Sequence, residues 1–170
     1  MLKQALSVFL VLCSSAALAA SADDKSSPFS FGLGVGAIYT GLGVNAAMLS
    51  TTEMKYLSLG CNEYSSVHGT SCGVGAGWIK TDLFGSHSNR HGLGFYVTSL
   101  GEETTTSYTT TDQGTNQYWH RSAVYGLGLS YNYFSNGISK PGFTYGVSVH
   151  TSNAEYESKL GGFLQLGYQF

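Results

Sequence analysis

Lys159-Leu-Gly-Gly-Phe-Leu-Gln-Leu-Gly-Tyr-Gln-Phe170 alternates with a period of two. Leu160, Gly162, Leu164, Leu166, Tyr168 and Phe170 share one parity, and Gly161, Phe163, Gln165, Gly167 and Gln169 share the other. Successive side chains of a strand point to opposite faces, so one face is mostly apolar and ends in two aromatics. The other face is small or amide-bearing, apart from Phe163. A strand in water hides its apolar face. A strand of a membrane barrel turns that face to lipid and its polar face to the lumen.

The same alternation recurs upstream. It predicts strands over Phe29–Tyr39, Leu42–Met48, Lys55–Tyr64, Cys72–Trp78, Leu93–Thr98, Ala123–Tyr133 and Phe143–His150. With the terminal stretch these make eight. The expected fold is all-β, an eight-stranded antiparallel up-and-down transmembrane β-barrel. An even number closes such a barrel, and closure removes edges that lipid cannot hydrogen-bond. The competing architecture is a soluble lipocalin-like barrel with its apolar face inward. That would leave an outer surface mainly of Gly, Ser and Thr.

With both termini at one end, the longest connection, Gly101–Gln117, falls at the opposite end, the expected extracellular side. Two readings of it stay open: a binding loop, or a Thr-rich continuation of the hairpin. Aromatics including Phe29, Phe31, Trp78, Tyr131, Tyr133, Phe143, Tyr145, Tyr168 and Phe170 would form the inner girdle. Tyr39 and Trp119 would mark the outer one.

A terminal strand of this parity ending on Phe170 resembles the last strand of small eight-stranded bacterial outer-membrane barrels. That resemblance implies a location in the bacterial outer membrane. It also implies outer-membrane lipid and lipopolysaccharide as neighbours, and recognition by the barrel-assembly machinery through the strand ending at Phe170. The amino terminus agrees. Lys3, the apolar run Ala5–Leu12 and the small-x-small pattern Ala17-Leu-Ala19 read as a secretory signal peptide. The expected organisation is a signal peptide over 1–20 and a barrel domain over 21–170. Cys13 leaves with the signal.

Residues 21–170 hold 7 basic and 10 acidic side chains, a net charge of −3, which argues against nucleic acid. Only 11% of the chain is charged, while Gly numbers 23 and Tyr 12. A disordered chain has the opposite bias. Cys61 and Cys72 flank the third hairpin symmetrically, and export favours a disulfide between them.

Gly41-Leu-Gly43-Val-Asn-Ala46 matches a dinucleotide fingerprint by letter, but no helix pattern follows. No cofactor is expected. His68, His87, His91, His120 and His150 are scattered, and the His87/His91 pair sits in a Gly, Ser and Asn-rich turn. No metal is expected from them.

His150-Thr-Ser152-Asn153 carries the sharper alternative. It is similar to the His-x-Ser-Asn segment of outer-membrane lipid A 3-O-deacylases. That similarity implies a lipid A ester hydrolase with His150 as general base and Ser152 as nucleophile, since a hydroxyl attacks an ester only once a base takes its proton. The resembling enzymes orient the His with a Glu on the last strand, where this chain has Gln165 and Gln169. Glu155 and Glu157 lie in the adjoining loop, and Glu155 is the candidate acid. The favoured expectation is a structural, adhesive or surface-interaction role without catalysis. Arg121, near the outer rim, would meet lipopolysaccharide phosphates.

Overall fold

The computed structural model describes residues 28–170 apart from 66–68, 84–88, 112–113 and 156–157. The signal-peptide reading, Cys13, His68, His87 and Glu157 lie outside the described residues. So does the side chain of His120.

Eight strands close into one antiparallel up-and-down barrel. They are β1 (Phe29–Gly36), β2 (Gly41–Leu49), β3 (Glu53–Ser65), β4 (Gly69–Lys80), β5 (His91–Thr111), β6 (Gly114–Phe134), β7 (Gly142–Ser152) and β8 (Leu160–Gln169). The pairs from Gly32 through Asn45, Ser58, Gly75, Thr98, Gly126 and Ser152 return to β8 at Lys159, whereas Gly32 itself faces Gln169. That ten-residue shear over eight strands sets a strand tilt of about 40°.

Polarity is inverted relative to a soluble barrel. Phe31, Leu33, Val44, Leu57, Leu59, Val74, Phe95, Leu129, Val147 and Leu164 are exposed on the outside. Inside lie Ser30, Asn45, Ser58, Thr98, Ser130, Asn132, Thr144, Ser148, Gln165 and Gln169, all buried. Several bond one another across the lumen. Gln169 Nε2 donates to Ser30 Oγ (2.8 Å) and to Asn45 Oδ1 (3.1 Å), while the Thr40 and Ser58 hydroxyls lie 2.7 Å apart.

Rings gather at the end that holds both described termini. Tyr168 packs edge-on against Phe143 and Phe170, Trp78 against Phe95, and the His91 imidazole bonds the Tyr131 hydroxyl at 2.6 Å.

One sequence expectation needs correction. The alternation Phe29–Tyr39 reads as one strand, yet β1 stops at Gly36. Ala37–Tyr39 then form a 3-10 turn inside the barrel. Tyr39 is therefore not an outer-girdle residue but a core one, at 0% exposure. Gly36 (φ 110°), Thr40 (φ 54°) and Gly41 (φ 87°) make the inward turn possible, because glycine carries positive φ at little cost. Ile38 N–H donates to Gln165 Oε1 (3.3 Å), and Thr98 Oγ1 donates to Thr40 Oγ1 (3.1 Å), tying the turn to β8 and β5. Of the two readings left open for Gly101–Gln117, the structure has the Thr-rich continuation of the hairpin. β5 and β6 run for 21 residues each and pair to Thr111↔Gly114, so the stretch is a hairpin.

The inward turn lowers one side of the wall. β1 meets β8 over only four residue pairs, Gly32–Val35 against Gln169–Leu166. Beyond them β8 continues to Leu160 and β3 to Ser65, with neither β1 nor β2 between them. Leu160 and Leu164, at 77% and 81% exposure, are bare because no strand flanks them on that side.

Cys61 and Cys72 are directly opposed and joined by a disulfide, as expected. Closing an 11-residue separation stabilises the fold by roughly 3 kcal/mol through the unfolded chain. A reduced or Cys61→Ser/Cys72→Ser protein should lose about that much. Denaturant midpoints with and without reductant measure it, and equal midpoints would refute the assignment of that stability to the bridge.

Candidate upper-lumen site

The end of the barrel bearing the long hairpin contains a cavity of about 290 Å³. β7 contributes His150 and Ser152, β8 contributes Gly161 and Phe163, and β5 and β6 contribute Leu100, Glu102 and Val124. His150 and Ser152 are two apart on one strand, so both face the lumen by parity.

His150 is held from three sides. Its Nδ1 lies 3.1 Å from the Tyr96 hydroxyl, which also donates to Ser148 Oγ at 3.2 Å. Phe163 lies tilted against the imidazole with centroids 5.1 Å apart. Gly161 faces His150 across the β7–β8 ladder, and a Cβ there would come within 2.6 Å of Nε2. Glycine at 161 is thus what admits the ring.

Ser152 Oγ accepts the Ala154 N–H at 3.4 Å. Among the described residues no hydrogen bond joins His150 to Ser152. The base and hydroxyl of the hydrolase alternative share a cavity, but the histidine is oriented by a tyrosine hydroxyl. The Glu155 side chain is exposed. Its backbone N–H instead donates to Glu103 Oε2 at 3.0 Å, so the acid that touches this loop comes from β5.

Glu103 is buried because of a bulge. The β5–β6 register shifts between Ser99 and Gly101, which turns Gly101 and Glu103 inward and Glu102 outward. Simple alternation from Thr98 would place Glu102 inside. Sequence reading misses Glu103 for this reason. Phe163 was visible as the one large residue on the polar face of the terminal strand.

Gln165 and Gln169 sit deeper, holding the inward turn and the Ser30–Asn45 cluster. They are structural amides. Arg121 stands on the hairpin 3.9 Å from Glu102, well exposed. No group of three or more potential metal ligands occurs among the described residues. No family model, curated protein or solved structure matches the chain.

Proposed function

We propose that the chain is an outer-membrane barrel with a structural, adhesive or surface-interaction role. The inverted polarity of the wall carries this reading. Each exposed leucine, valine or phenylalanine on the outside forgoes roughly 1.5–3 kcal/mol of burial in water and regains it in lipid. In lipid the backbone must also be satisfied within the protein, which a closed barrel does. The aromatic cluster at one end supports an interfacial girdle, and a hairpin projecting from the other supports contact with the surroundings. On this reading outer-membrane lipid and lipopolysaccharide surround the wall, and the assembly machinery takes up the strand ending at Phe170.

Cells expressing the chain should yield it in the outer-membrane pellet, with electrophoretic migration that changes on boiling. Recovery of folded protein in the soluble periplasmic fraction would sink the proposal.

One observation favours a second reading. His150 and Ser152 line the same cavity, and that cavity lies beside the low stretch of wall between β8 and β3. Ester hydrolysis of lipid A there would need the Ser152 hydroxyl to turn from the Ala154 N–H toward the imidazole. Ser152→Ala should then leave lipid A with an extra acyl chain by mass spectrometry. Identical spectra from cells with wild-type and variant protein eliminate it.

A further inference from the structure

We infer that the upper-lumen cavity is a subsite for a neutral sugar ring presented from outside the barrel. The inference rests on the surface-interaction reading above and names the chemistry of its partner.

The lining combines what a sugar requires. Phe163, Leu100 and Val124 offer an apolar wall for the ring's C–H face. The uncommitted polar groups both donate and accept. The Ser152 hydroxyl accepts from Ala154 and keeps its own proton free, and among the described residues no hydrogen bond engages the Ser158 hydroxyl or His150 Nε2. Hydroxyl groups satisfy such a mixed set, because each gives one hydrogen bond and takes two.

The same set disfavours an anion. Among the described residues no lysine or arginine lines the cavity, so no cation there would pair with a phosphate or carboxylate. A cavity of about 290 Å³ is at the small end for ligand sites, which suits one ring rather than a chain. A longer glycan has somewhere to continue. The hairpin face that carries Val124 also carries Ser122 and the exposed Tyr118. Tyr118 stands six residues further out, roughly 20 Å along the strand. Its ring is an amphipathic platform with few rotatable bonds.

Saturation-transfer NMR with methyl glycosides of glucose, galactose, mannose and N-acetylglucosamine tests the site on protein folded into vesicles. At least one should receive saturation at about 10 mM, the range expected of a single small ring. A matched sugar phosphate should receive less. Val124→Trp, which fills the cavity, should remove the signal. Ser152→Ala should weaken binding several-fold by deleting a hydroxyl that lines the cavity. Heat-modifiable migration of both variants establishes that they fold. No transfer to any neutral glycoside, equal transfer to the phosphate, or an undiminished signal in folded Val124→Trp or Ser152→Ala each overturns the inference. A barrel that enters vesicles yet ignores these sugars loses only the sugar site. One that stays in solution loses the membrane reading as well.

Discussion

Leu129→Arg should destabilise the barrel by about 2–4 kcal/mol when it is folded into phospholipid vesicles, the cost of arginine on a lipid-facing surface at mid-depth. Leu129 is 65% exposed and lies between Phe95 of β5 and Val149 of β7, both exposed. It therefore belongs to the centre of the apolar band. The same change at Leu160, at the band's upper margin, should cost at most about 1 kcal/mol, because arginine can reach the interface there. In water both positions are plain surface, and neither change would move stability by more than about 0.5 kcal/mol. Urea midpoints in vesicles, read by gel migration, separate the cases. A flat response at Leu129 would falsify the lipid-facing assignment.

Tyr39→Ala should cost about 3–5 kcal/mol, the range for deleting a fully buried aromatic ring. Tyr39 has 0% exposure, and its ring occupies the space left by Gly34 and Gly167 where β1 meets β8. That seam has only four residue pairs, so lost packing there is felt by barrel closure itself. Tyr39→Phe keeps the ring and removes a buried hydroxyl that has no hydrogen-bond partner among the described residues, so it should be near neutral, within about 1 kcal/mol. Gly167→Val attacks the same contact from the wall, since its Cβ would meet the Tyr39 hydroxyl. It should impair assembly in wild type and be tolerated better beside Tyr39→Ala. The same urea midpoints report all four. If the double variant is no better than the sum of the singles, Tyr39 does not fill this space.

The contrast between these positions explains what was legible. Leu129 and Tyr39 sit in equally regular alternations, and sequence assigns both outward. Only Tyr39 departs, because Gly36 and Gly41 bracket it and release the chain into the lumen. With 23 glycines in the chain, these two carry no distinguishing mark. The bulge at Leu100 is hidden in the same way. A single extra residue exchanges Glu102 for Glu103 on the inner face, and period-two reading has no means of detecting the slip.

Sequence alone determined the number and order of strands, the face each presents outward, and the opposition of Cys61 and Cys72. The first two follow from strand parity, which is local and needs no knowledge of neighbours, and the third from the symmetry of a short hairpin about its turn. Parity also put His150 and Ser152 in the lumen. What surrounds them was decided by tertiary structure. Tyr96 and Glu103 come from β5 and Gly161 and Phe163 from β8, and their meeting around β7 depends on the shear of the closed barrel and on one bulge. Those are properties of pairing between distant segments, so they exist only once the barrel has closed.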